Sequence, residues 1–131
     1  FIRILSRALV MGGLAMEIAG SSRPCSGSEH LFAHAIEEYY PDVKISHGLA
    51  VALGSIPACI FQGQDAAGLL NFFKTYGIAT NPQSYGITKD MFDDIWEKAR
   101  TVRADRITIL NDVKPDRIQL DEIYNRMVEG K

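Results

Sequence analysis

The chain has 131 residues, 47% of them hydrophobic and 23% charged, enough to bury the core of a single globular domain spanning 1–131. A formal net charge of -2 leaves no electrostatic footprint for nucleic acid or an anionic membrane surface. The apolar opening is broken by Arg3, Arg7 and Glu17, so it lacks the uncharged run of roughly 18 residues that a membrane span needs.

Apolar residues at Ile4, Leu5, Ala8, Leu9, Leu14, Ala15 and Ile18 recur at helical spacing until Gly20-Ser21-Ser22-Arg23-Pro24 stops the run. Gly12 and Gly13 inside it each cost about 1 kcal/mol relative to alanine, which predicts a close neighbour to that backbone. The start on Phe1 in mid-helix register, without a methionine, is read as a piece of a longer protein. Ser26 or Ser28 is the expected N-cap of a second helix over 29–40, which Pro41 ends. Ser46 caps a third over 47–61, apolar on all sides and kinked by Pro57, as befits a core helix.

Asp65 caps a fourth helix that runs through Leu69, Leu70, Phe72 and Phe73 to Gly77. Thr88 caps a fifth carrying Phe92, Ile95, Trp96 and Ala99, and the last covers 116–128. Phe72, Phe73, Phe92 and Trp96 are read as core. Only 106–110, Arg-Ile-Thr-Ile-Leu, has strand character, and one short run makes no sheet. The predicted fold class is therefore all-α, a helical bundle. Cys25 and Cys59 form no Cys-x-x-Cys pair, which suits reduced thiols in a cytoplasmic protein, and Cys25 is expected to be a small buried residue.

All three histidines, His30, His34 and His47, fall within eighteen residues. Residues four apart on a helix lie about 40° apart around its axis, so His30 and His34 can face one point, and His47 can join them from the next helix. Neutral imidazoles suit zinc, iron or nickel, and a catalytic zinc keeps an open position beside about three protein ligands. Spacing is compatible with all three rings on a metal, or with His30 and His47 on the metal and His34 on the substrate. Glu37 and Glu38 have a supporting role open to them but read by default as a solvated helix end. Asp105 and Arg106 form a candidate local ion pair. Gly12-Gly13 lacks the preceding strand and the spacing of a dinucleotide-binding fingerprint.

The run Gly20-Ser21-Ser22-Arg23-Pro24-Cys25-Ser26-Gly27-Ser28-Glu29-His30-Leu31-Phe32-Ala33-His34-Ala35, followed by His47-Gly48 and by Asp105-Arg106-Ile107-Thr108-Ile109-Leu110, resembles the metal-binding part of sn-glycerol-1-phosphate dehydrogenases. These belong to the iron-containing alcohol dehydrogenase and dehydroquinate synthase superfamily. The resemblance implies the C-terminal helical domain of a two-domain enzyme, with NAD or NADP bound by an N-terminal nucleotide-binding domain outside this chain. It implies His30 and His47 as zinc ligands, with iron or nickel as alternatives, a third ligand aspartate outside this sequence, and His34 on the substrate. The implied reaction is reversible reduction of dihydroxyacetone phosphate, a step of phospholipid biosynthesis, inactive in this chain alone. Ser22 and Arg23 are candidates for the substrate phosphate, because guanidinium groups pair with phosphate bidentately. Leu49 stands where many relatives carry a glutamate, removing one partner for a ligand imidazole. A dehydroquinate-synthase-like lyase shares the pattern His-x-x-x-His-Ala-Ile-Glu, and a non-catalytic helical module is the third reading. The resemblance leaves homo-oligomer formation open.

Overall fold

A computed structural model describes residues 1–130. The helices are α1 (Ile2–Ala19), α2 (Ser28–Tyr39), α3 (His47–Phe61), α4 (Ala66–Thr75), α5 (Lys89–Ala99), α6 (Ile109–Asp112) and α7 (Arg117–Glu129), with 3-10 turns at Arg23–Cys25 and Pro82–Tyr85. No strand occurs among the described residues, so the fold is all-α as expected. No helix among them is long and apolar enough to cross a membrane.

Three of the expected caps operate. Asp65 accepts Gly68 N–H at 2.9 Å, Thr88 accepts Met91 N–H at 3.3 Å, and Asp116 accepts Gln119 N–H at 2.8 Å within a capping box. The cap of α2 differs from expectation. Gly27 is its N-cap residue, Ser28 is buried inside the first turn, and the Glu29 carboxylate takes Gly27 N–H at 2.7 Å. Pro57 is accommodated inside one continuous α3. The 106–110 run forms no strand, because Thr108 and Asn111 close a capping box that starts α6.

The core is an antiparallel pair, α2 against α3, with α5 laid across α2 and α7 across α5. Trp96 is its centre, 1% exposed, with the Phe32 ring 4.9 Å away, Phe61 edge-on at 5.4 Å and Phe92 at 6.5 Å. Phe92 meets Tyr124 at 5.4 Å, and Tyr124 Oη donates to Ile87 O at 3.0 Å. Phe72 is a correction: it is 46% exposed and joins Tyr76 at 4.8 Å, while Tyr76 stacks on Phe1 at 4.9 Å. Cys25 is another, being exposed, with its thiol donating to Gly12 O at 3.7 Å.

Helix α1 buries none of its residues, and its chief packing partner is the Arg23–Cys25 turn. Of the two glycines expected to lie under a close neighbour, Gly12 does so, since a Cβ there would stand 3.1 Å from Cys25 Sγ. Gly13 has nothing within 4 Å.

Helices α2 and α3 approach closely at Gly54 of α3. A Cβ there would lie 2.8 Å from Glu29 O, 2.9 Å from Phe32 Cβ and 3.1 Å from Glu29 Cα, so the α2–α3 separation requires hydrogen at this position. Gly54→Ala is expected to lower unfolding stability by about 1–3 kcal/mol, the usual cost of overpacking. Gly13→Ala, facing open space in a helix, is expected to cost nothing, and urea unfolding of the two variants measures the contrast.

Between α5 and α7, Lys89 pairs with Asp121 at 2.5 Å and Arg117 with Asp90 at 3.0 Å, while Arg117 Nε stands 3.6 Å from Asp93. That last contact is too long for a hydrogen bond, and both Asp93 carboxylate oxygens are buried without one. Burial first, and then the nearby Asp121 charge, push the Asp93 carboxyl above the ordinary aspartate range. A raised carboxyl binds more protons folded than unfolded, so its charge costs stability as pH rises through the folded value. Asp93→Asn is therefore expected to raise the thermal midpoint at neutral pH, with the gain shrinking as pH falls through the raised folded value and vanishing once it is below the ordinary aspartate value.

Candidate metal centre

The α2–α3 register explains why the histidines meet. With Gly54 opposite Glu29 and Phe32, stepping seven residues back along α3 brings His47 beside Glu37, near the far end of α2. Seven residues rise about 10 Å on either helix. His30 and His34 lie on α2 one turn apart, and His47 is the first residue of α3.

The rings converge. His47 is 5.5 Å from His30 and 5.6 Å from His34, centre to centre, with interplanar angles of 54° and 45°. Two imidazoles on one tetrahedral zinc, with Zn–N bonds of roughly 2 Å, have ring centres about 5 Å apart, so both pairs approach the spacing that a shared ion imposes. Their side chains are partly open to solvent, at 25% for His30, 22% for His34 and 45% for His47.

Every ring is tied through Nδ1 to a glutamate. His30 Nδ1 lies 2.9 Å from Glu29 Oε1, His34 Nδ1 3.1 Å from Glu37 Oε2, and His47 Nδ1 2.7 Å from Glu37 Oε1. Burial raises the Glu37 carboxyl, but hydrogen bonds from His47 and His34 and their charges together outweigh it, leaving the group below the ordinary glutamate range. With one donor atom per residue, His34, Glu37 and His47 all fall within 4.8 Å of one another, a two-histidine, one-carboxylate set of the kind divalent transition metals accept. His30 approaches as a ring but lies outside that closest set. Glu37 is the residue sequence reading undervalued. Its signal was present as the i+3 position from His34, which shares a helix face with it.

A cavity of about 240 Å³ adjoins the cluster, lined by Ile36, Glu37, Tyr40, Ile45 and His47 among others. A larger cavity, about 490 Å³, lies elsewhere, between α5 and α7 beside Asp93, Trp96 and Arg117, and has no histidine in its wall. Donor chemistry outweighs volume in locating the site, because only the smaller cavity has imidazole in its wall.

The approach to α2 is fastened twice to the segment that leads into α6. Arg23 Nη2 donates to Ile107 O, and Arg106 Nη1 donates to Ser26 Oγ at 3.0 Å. Arg106 thus turns toward the start of α2 in place of the expected pairing with Asp105. Ser22 and Arg23 are both exposed.

The chain as a whole is similar to known proteins. Over 111 residues, 85% of this chain, it is 44% identical to a glycerol-1-phosphate dehydrogenase (NAD(P)+) of Sulfurisphaera tokodaii. It is 41% identical over 112 residues to the one from Nitrosopumilus maritimus, and 44% identical over 113 residues to that of Pyrobaculum islandicum. The chain belongs to the glycerol-1-phosphate dehydrogenase family. It spans about a third of the length of these relatives, 31%, 31% and 33% respectively. No family model matches it.

Within this family member, Arg106 links the segment before α6 to the approach to α2 with a hydrogen bond made to a buried serine. Arg106→Ala is expected to destabilise the fold by about 1–3 kcal/mol, the usual loss for a hydrogen bond from a charged group. Hydrogen exchange at the start of α2 should quicken more than at α7.

Proposed function

We propose that this chain is the metal- and substrate-binding helical part of an NAD(P)-dependent sn-glycerol-1-phosphate dehydrogenase, acting on dihydroxyacetone phosphate. In this reading His30 and His47 hold a zinc ion, and His34 contacts the substrate. The observation that carries it is the convergence of the three imidazoles, with His47 5.5 and 5.6 Å from His30 and His34 between ring centres. Iron or nickel suits the same donors.

A divalent ion held there supplies a Lewis acid for a carbonyl oxygen. The chain's own residues then have distinct tasks. His34, one helical turn from His30, hydrogen-bonds the oxygen functions of the substrate and holds a proton at its ring. Ser22 and Arg23, exposed at the approach to α2, contact the phosphate; Arg23 commits one of its five N–H donors to Ile107 O and keeps others. The hydride comes from NAD(P)H bound by a part of the enzyme not contained in this chain, which carries no dinucleotide fingerprint. Turnover by this chain alone is accordingly expected to be nil.

The partner we assign to α1 is that remaining part of the enzyme. Ile4, Leu9, Val10 and Ile18 are 67–80% exposed on a helix with no buried residue, and the chain spans only about a third of its relatives' length. These residues are spread around the whole circumference of α1, and a helix apolar on all sides is one that normally lies enclosed by packing.

Zinc titration tests the metal assignment. His30→Ala and His47→Ala are each expected to abolish stoichiometric zinc binding by the chain, and unchanged binding in both overturns the reading. A full-length enzyme containing this sequence is expected to oxidise NADH or NADPH with dihydroxyacetone phosphate, and to lose that activity with either substitution.

A further inference from the structure

We propose that Glu37 is a positioning residue that sets the tautomer of two imidazoles at once, accepting Nδ1–H from His47 on one carboxylate oxygen and from His34 on the other. The contacts are 2.7 Å to Oε1 and 3.1 Å to Oε2. An ionised carboxylate offers only lone pairs, so the ring nitrogen facing it must carry the hydrogen. In a neutral ring the lone pair is then at Nε2.

The direction of this effect is specific. Glu37 leaves His47 with a metal-ready Nε2, and it leaves His34 with an Nε2 that accepts a hydrogen bond, suited to a substrate hydroxyl. Because both rings share one carboxylate, the metal-binding group and the substrate-binding group are oriented by the same side chain, which reaches from α2 to the first residue of α3. Glu29 does the corresponding task for His30 alone, through a separate contact of 2.9 Å, and also holds Gly27 N–H at 2.7 Å.

The consequence for metal affinity rests on the assignment of His47 as a ligand, whereas the tautomer does not. The two are separable by experiment on the chain carrying isotope-labelled imidazole nitrogens. In the metal-free parent, nitrogen NMR is expected to show His34 and His47 protonated at Nδ1 and bare at Nε2. Glu37→Gln is expected to move both rings toward the Nε2–H form, while Glu29→Gln leaves them unchanged, and Glu37→Asp retains part of the parent pattern. On adding zinc, the His47 Nε2 resonance should shift, and Glu37→Gln should weaken zinc binding on the order of 10–100-fold, the usual effect of losing a carboxylate behind a ligand histidine. Glu37 is about half exposed, so the variant is expected to keep the parent's unfolding midpoint, which circular dichroism checks.

Unchanged tautomers in Glu37→Gln overturn the proposal, as does zinc entering through Nδ1 with the Glu37 carboxylate as a direct ligand. If His30→Ala and His47→Ala leave zinc binding intact while Glu37→Gln still switches both tautomers, the metal assignment fails and the positioning role stands.

Discussion

The separation of α2 and α3 at Gly54 is the constraint from which the site follows. Glycine at this position lets the α3 backbone rest on the carbonyl and Cα of Glu29 and on Phe32 Cβ, closer than any side chain permits. That contact fixes both the distance between the helices and their register. Register is the more consequential of the two, because His47, seven residues from Gly54 on α3, meets Glu37, eight residues from Glu29 on α2, only if the two antiparallel helices start from that same contact. The residue touched by Gly54, Glu29, also carries the carboxylate that holds His30, so packing and polar chemistry share one residue.

The core behind this pair is apolar and aromatic, with Trp96 wedged among Phe32, Phe61 and Phe92, and it holds the outer face of α2 against α5. The histidines lie toward solvent from it, where an imidazole keeps enough water contact to stay hydrated yet has its orientation set by hydrogen bonds. Three rings each held at Nδ1 by a carboxylate form an arrangement in which the orientation is decided before any ligand arrives. The same logic extends to the approach: Arg23 and Arg106 fasten the turn before α2 to the segment 106–107, so the first turn of the helix that carries His30 and His34 has its entry held at two points.

The fold class and most helices were legible because their signals are local. Asp65, Thr88 and Asp116 each precede an apolar period of 3.6 and each caps in the structure. Where the reading missed, a contact distant or competing in the sequence decided. The β-branched run 106–110 yields to a Thr108–Asn111 capping box, since an isolated strand has no partner for its backbone groups. Ser26 does not cap α2 because its hydroxyl is taken by Arg106, eighty positions away. Phe72 has the same spacing as core aromatics but lies on the outer side of α4, and periodicity alone does not say which side is covered. The histidines stood out by composition and the sequence resemblance sorted them into roles, but neither indicated that Glu37 holds two of them, since that requires the α2–α3 register.

Helix α1 extends the same physical argument beyond the site. A solitary 18-residue helix is only marginally stable in water, and α1 gains little from packing, with its main anchorage at the Arg23–Cys25 turn through Gly12 and Cys25 and a further stack of Phe1 on Tyr76. Its apolar residues, spread around the helix, stay exposed in this chain. The turn to which it is anchored is the one that Arg23 and Arg106 fasten and that leads directly into α2. The far end of α1 thus bears on the entry to the histidine-bearing helix through residues 20–28. The side chains that orient the rings are internal to this chain, whereas the helix anchored at the entry to α2 leaves its own apolar area exposed.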